Sequence, residues 1–259
     1  MAADDTGLLF GHGLFETFRA RRGKVYLLER HLARLRAGAQ TLGIELPAAL
    51  ADLEGIVRQL AALCGLDYAR VRLTLTAGPE TGGPTLLLQA RPAADYPTRL
   101  YEEGASAVIS AVRRNETSPL SRVKSLNCLD NLLARSAARG AGAEEALLLN
   151  TRGDIVEGSA SNLLLIREGE LLTPPVDDGA LPGVTRSALL ELAEQAGLGA
   201  REASLTVDDL RSADEAVLTN AVAGVLPLVS VDGKPIGAGA PGEATRRLRA
   251  LYNDAAAQA

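Results

Sequence analysis

Apolar residues at Leu32, Leu35, Ala39 and Leu42 recur every three to four positions and stop at Gly43, which predicts a helix over 29–43. A second helix is predicted over about 47–64. Alternation in Ala69-Arg-Val-Arg-Leu-Thr-Leu-Thr-Ala predicts a strand with one buried face, and 85–90 and 108–112 read as two more. Upstream, 8–19 reads as one strand containing Gly11 and Gly13, followed by a turn at Arg22–Gly23 and a short strand over 25–28. The polar stretch 113–122, which contains Pro119, reads as a linker. Beyond it the pattern predicts a helix to about 139, strands at 145–149 and through Ile155, and a hairpin of 162–166 with 170–173. Helices at 185–196 and 207–212, strands at 215–219 and 225–231, and a closing helix over 243–256 complete the chain. Runs of strands interrupted by helices argue for an α+β fold of two domains. The boundaries expected are a small α+β domain over 1–114, a linker over 115–122 and a larger domain over 123–259.

Composition narrows the classes. The 259 residues, 47% of them hydrophobic, suffice for a sizeable core. A net charge of −5 without basic runs argues against nucleic acid or an anionic membrane as partner. No apolar run approaches a membrane span, and MAADDTG at the start has no signal character. Two cysteines, Cys64 and Cys128, suggest a reducing compartment and form no zinc pattern. The expectation is a cytoplasmic protein without a metal.

Lysine is scarce. Lys24, Lys124 and Lys234 are the only three among 27 basic residues, a bias that GC-rich codon usage also produces. Arginine stays protonated, whereas a desolvated lysine can attack a carbonyl carbon. Lys24 and Lys234 sit in hairpin-turn contexts, and Lys124 stands apart in Ser-Arg-Val-Lys-Ser-Leu-Asn just before a helical pattern. Glu157 lies in the small and apolar run Ile-Val-Glu-Gly-Ser-Ala-Ser-Asn-Leu, where burial without a partner would cost several kcal/mol. Leu181-Pro-Gly-Val-Thr-Arg opens a helix whose backbone N–H groups and Thr185 hydroxyl suit an anion. Each feature has a plain alternative: a solvated lysine, a turn-exposed glutamate, an ordinary threonine cap. Arg34 is similarly either a further positive charge for such an anion or a surface charge. Hydrolase chemistry finds no support, with no Gly-X-Ser-X-Gly and no triad context for His12 or His31.

Five motifs taken in order carry a resemblance. They are Gly11-His-Gly-Leu-Phe-Glu-Thr-Phe-Arg with His31-Leu-Ala-Arg-Leu, Lys124-Ser-Leu-Asn-Cys-Leu-Asp-Asn-Leu-Leu-Ala, the Glu157 run, Leu181-Pro-Gly-Val-Thr-Arg, and Ala213-Asp-Glu-Ala-Val-Leu-Thr-Asn-Ala. Together they resemble the class-IV aminotransferases, the fold-type IV enzymes of pyridoxal 5'-phosphate (PLP). The resemblance implies a small α/β N-terminal domain and a larger C-terminal pseudo-barrel domain, and a homodimer acting on a small-molecule amine. It implies that Lys124 holds PLP as a Schiff base and that Glu157 pairs with the pyridine nitrogen. It places Arg34, Val184, Thr185, Asn220 and Ala221 around the phosphate. Family members usually carry about one more strand before the Gly-X-Gly segment, which is expected to be missing here.

Within the family, Phe15-Glu-Thr-Phe-Arg and Thr219-Asn-Ala-Val resemble 4-amino-4-deoxychorismate lyases, which form 4-aminobenzoate and pyruvate. The alternatives are a branched-chain or D-amino-acid aminotransferase using a 2-oxo acid, and a degenerate member without catalysis. The lyases' arginine-bearing loop has no counterpart in Gly78-Pro-Glu-Thr-Gly-Gly-Pro. Arg72, Arg70 and Thr17 are therefore the substrate candidates, with Arg72 nominated for a carboxylate.

Overall fold

A computed structural model describes residues 1–93 and 96–258, which fall into two units. Of the described residues, the first comprises 1–93 with 123–128, and the second 96–122 with 129–258. These limits differ from the domains expected at 1–114 and 123–259. The reason is non-local pairing, which sequence-local signals do not report.

The first unit begins with α1 (Thr6–Phe10), where the side chain of Asp5 accepts from Gly7 N and Gly11 ends the helix at φ 69°. A strand was expected there; it starts later, as β1 (Gly13–Arg21). The Arg22–Gly23 turn has positive φ at both residues and leads to the two-residue β2 (Lys24–Val25). Leu27, also at positive φ, turns the chain into α2 (Leu28–Leu42). The second predicted helix divides into a 3-10 turn, Ala48–Asp52, and α3 (Leu53–Leu63). Strands β3 (Tyr68–Thr76) and β4 (Thr85–Pro92) complete an antiparallel sheet ordered β2-β1-β3-β4.

One face of that sheet carries Leu14, Phe18, Val71 and Leu73, packed into a core with Leu32, Leu35 and Val57 from the helices. Burying side chains of this kind contributes about 1.5–3 kcal/mol each. The opposite phase of β1 and β3 holds Phe15, Thr17, Arg19, Arg70, Arg72 and Thr74, as the two-residue period requires.

The second unit is built from α4 (Arg99–Glu102), β5 (Ala105–Arg114), α5 (Leu129–Gly140), β6 (Glu145–Asn150), β7 (Ile155–Gly158), β8 (Asn162–Arg167) and β9 (Glu170–Thr173). It continues with α6 (Val184–Leu192), β10 (Gly199–Glu202), α7 (Val207–Arg211), β11 (Glu215–Asn220), β12 (Gly224–Val231), β13 (Lys234–Pro235) and α8 (Glu243–Gln258). Strand β5 pairs in parallel with both β12 and β6, so it belongs to this sheet rather than to an N-terminal domain. The expected linker is also anchored: Arg114 donates to the carbonyls of Gly179 and Ser121, and Thr151 donates to Glu116.

The order β8-β11-β12-β5-β6-β7 closes on itself through one β7–β8 pair, Glu157 opposite Asn162. A closed ring leaves no sheet edge along that circuit. The α+β expectation with a C-terminal pseudo-barrel is met. Among the described residues no helix is long and apolar enough to cross a membrane.

Candidate active site

Lys124 reaches the first unit through backbone pairing. Phe15 N donates to Lys124 O at 3.0 Å, Leu126 N donates to Gly13 O at 2.9 Å, and Leu14 bridges Ser125. The segment 123–128 thus lies against the start of β1. Its consequence is a shared ring: Lys124 Nζ stands 4.5 Å from the Phe15 centroid and the Arg72 guanidinium carbon 3.8 Å. Thr17 is directly opposite Arg72 in the β1–β3 register. Burial pushes the half-buried Arg72 down from the usual guanidinium value, with Cys128 opposing and Arg70 adding to the shift. The structure therefore gathers Lys124, Arg72 and Thr17 on one side of the sheet, with Arg70 exposed one step further along β3.

Arg34 has a partner that the sequence reading missed. Its Nε donates to Glu16 Oε1 at 2.8 Å and its Nη2 to Glu16 Oε2 at 2.6 Å, while His31 Nδ1 lies 2.8 Å from Glu16 Oε2. Glu16 and His31 are each 2% exposed. Burial raises the Glu16 carboxyl, but the Arg34 charge and the hydrogen bonds of His31 and Arg34 outweigh it and hold the group at about 2. Glu16 shares the buried phase of β1 with Leu14 and Phe18, and a carboxylate in an apolar phase was the available signal.

In the second unit Glu157 is buried and well supplied with donors. Its Oε2 accepts from Leu181 N at 3.0 Å and Asn162 Nδ2 at 3.3 Å, and its Oε1 lies 3.4 Å from Arg114 Nη2. Arg114, absent from the sequence reading, is itself held by Asn131 Oδ1 and the Ser121 and Gly179 carbonyls. These contacts offset the burial cost of the carboxylate.

Helix α6 opens at Gly183 without a capping side chain. A Cβ at Gly183 would come within 1.8 Å of Asn162 Oδ1, so glycine is needed for the close approach. Val184 and Thr185 in the first turn are buried, so their N–H groups suit a ligand anion better than bulk water. Asn220 is engaged in its own turn: Oδ1 accepts from Val222 N and Ala223 N, and Nδ2 donates to the Ala160 carbonyl. Its side chain shapes the loop that contains Ala221.

Taken by chemistry, the first unit supplies an amine, and the second, by itself, a buried carboxylate and an uncapped helix start, which are the donor types that a phosphorylated pyridine aldehyde would need. Among the described residues no group of three or more His, Cys, Asp or Glu could hold a metal ion.

The sequence profile of the family "Amino-transferase class IV" matches residues 13–231. The chain is 36% identical to a "Putative branched-chain-amino-acid aminotransferase" of Methanocaldococcus jannaschii, covering 96% of this chain and 89% of that one. It is 33% identical to the D-alanine aminotransferase of Bacillus licheniformis, covering 96% and 90%. Among solved structures, the Escherichia coli branched-chain amino acid aminotransferase superposes with a TM-score of 0.92 at 28% identity, over 98% of this chain and 88% of that one. A "Putative 4-amino-4-deoxychorismate lyase" from Legionella pneumophila gives 0.88 at 28% identity, over 98% and 95%.

Proposed function

We propose that this chain, which belongs to the class-IV aminotransferase family, is a PLP-dependent transaminase that moves an amino group between an amino acid and a 2-oxo acid. The observation that carries this reading is the 36% identity to the archaeal branched-chain relative across nearly the whole chain. It replaces the lyase suggested by Phe15-Glu-Thr-Phe-Arg and Thr219-Asn-Ala-Val. Those short motifs weigh less than relatives matched over 96% of the chain, and the loop after Gly78 offers no arginine. Branched-chain substrates are the first reading; a D-amino acid is the second, favoured by the Bacillus licheniformis relative.

PLP would be held by Lys124, by Glu157 at its ring nitrogen, and by Arg34, Val184, Thr185 and the Asn220–Ala221 turn at its phosphate. Bound there, the cofactor supplies an electron sink for charge developing on the substrate's α-carbon. The Lys124 amine would serve as the base that takes the proton from that carbon and as the acid that delivers it onward rather than back to the same carbon. Glu157, fixed by Leu181 N, Asn162 and Arg114, is proposed to hold a proton on the ring nitrogen. Arg72 provides the cation for a substrate carboxylate, and Phe15 keeps it and Lys124 on one aromatic surface.

The molecule is further proposed to act as a homodimer. Leu129, Leu132 and Leu133 on α5 and Leu8, Leu9 and Phe10 on α1 are all more than half exposed, which favours a covering partner.

The test is to supply L- and D-amino acids singly and follow the visible absorbance of the bound cofactor. A transaminase changes its spectrum with the amino acid alone and recovers it on addition of a 2-oxo acid. Release of 4-aminobenzoate and pyruvate from aminodeoxychorismate, with no acceptor present, would overturn this reading in favour of the lyase.

A further inference from the structure

The proposed reaction makes no use of two buried titratable groups, Glu16 and His31. Both lie on the helix-facing side of the first sheet, among Leu14, Phe18, Leu32 and Leu35. Apolar residues at these positions would satisfy packing alone, and an ion pair there contributes little or nothing to stability relative to a well-packed hydrophobic replacement. Their geometry has a direction. Glu16 engages the Nε and Nη2 edge of Arg34 with both oxygens, which fixes the plane of the guanidinium and hence the direction of Nη1. A carboxylate only accepts, so His31 Nδ1 carries the proton and donates to Oε2. The imidazole in turn packs on Phe18, with ring centroids 5.5 Å apart at 58°. Arg34 is therefore held by a chain running from Phe18 through His31 and Glu16.

We infer that Glu16 and His31 are positioning residues that aim Arg34 at the cofactor's phosphate, so that this buried pair sets phosphate affinity rather than chemistry. The inference rests on the proposed role of Arg34 as a phosphate ligand. A long arginine left to its rotamers loses conformational entropy on binding an anion, whereas one already clamped at its far edge does not.

The discriminating probe is PLP against pyridoxal, which lacks the phosphate. The full-length chain is stripped of cofactor and titrated with each, with thermal unfolding of the stripped chain as the folding control. Glu16→Gln is expected to weaken PLP at least tenfold while pyridoxal changes less than twofold. His31→Leu is expected to show a smaller loss of the same kind, and His31→Asn, which restores a donor near the Nδ1 position, to regain it. In an Arg34→Ala background Glu16→Gln should change neither ligand further.

Equal weakening of PLP and pyridoxal by Glu16→Gln would overturn the inference, because the carboxylate would then serve the fold alone. No effect on either would overturn it too. If Glu16→Gln does not fold, the contrast between His31→Leu and His31→Asn decides, and equal affinities for PLP in the two overturn it. Arg34→Ala separates the two levels: an unchanged preference for PLP over pyridoxal defeats the role of Arg34 itself. A lost preference in Arg34→Ala with none lost in Glu16→Gln defeats only the positioning role.

Discussion

Glu157 stands directly opposite Asn162 in the single residue pair that closes the barrel, and Asn162 Nδ2 donates to Glu157 Oε2 at 3.3 Å. The candidate acid for the cofactor nitrogen is thus built into the joint of the sheet. Glu157→Gln keeps the shape of that joint and removes its charge. It should retain PLP and lose about two orders of magnitude in turnover, in keeping with about 2–3 kcal/mol for a hydrogen bond to a charged group. Unchanged turnover, measured with the best amino acid of the panel, would place the ring nitrogen's partner elsewhere.

Borohydride reduction of the purified protein, followed by peptide mass analysis, should fix the cofactor on Lys124 and not on Lys24 or Lys234. Lys124→Arg should retain the fold and have no measurable turnover, since a guanidinium keeps the charge but neither bonds the aldehyde nor shuttles the proton.

Arg72 lies over the Phe15 ring with Lys124 beside it. Arg72→Leu preserves bulk against the ring and removes the cation, so the KM for the 2-oxo acid should rise tenfold or more. The affinity for PLP should stay within about twofold. An unchanged KM would remove Arg72 from the substrate assignment.

Stability should depend on acid in a definite direction. Glu16, its folded-state carboxyl held at about 2 against a usual 4.5, contributes stability that is fully present above the unfolded value and is lost as pH falls through that window. Acid unfolding followed by circular dichroism should show a shallower loss between pH 5 and pH 2 in Glu16→Gln than in the parent. An identical slope would mean that the Arg34 and His31 contacts contribute nothing to this acid dependence.

Leu132→Asp places a charge on the exposed apolar side of α5, where Leu129 and Leu133 are also in the open. Sedimentation should show the parent as a dimer and the variant shifted toward monomer. A monomeric parent would defeat the dimer proposal.

Local information sufficed for much of this protein. The period of Leu32, Leu35 and Ala39 ending at Gly43 determined α2, because an amphipathic helix and its glycine stop are written within one stretch. Alternation determined β3 and placed Arg70, Arg72 and Thr74 in one phase, and short motifs singled out Lys124 and Glu157. Tertiary structure decided the rest. Residues 6–10 formed a helix because the Asp5 cap and the Gly11 stop outweighed an apolar run that reads equally as strand. The boundary moved because β5 found its partners in β6 and β12, and because 123–128 returned to pair with β1. Glu16, His31 and Arg114 went unread because each gains its meaning from a distant partner: Arg34 for the first two, Glu157 for the third. Periodicity reports which face a residue occupies, but a buried charge is explained only by the group that folding brings against it.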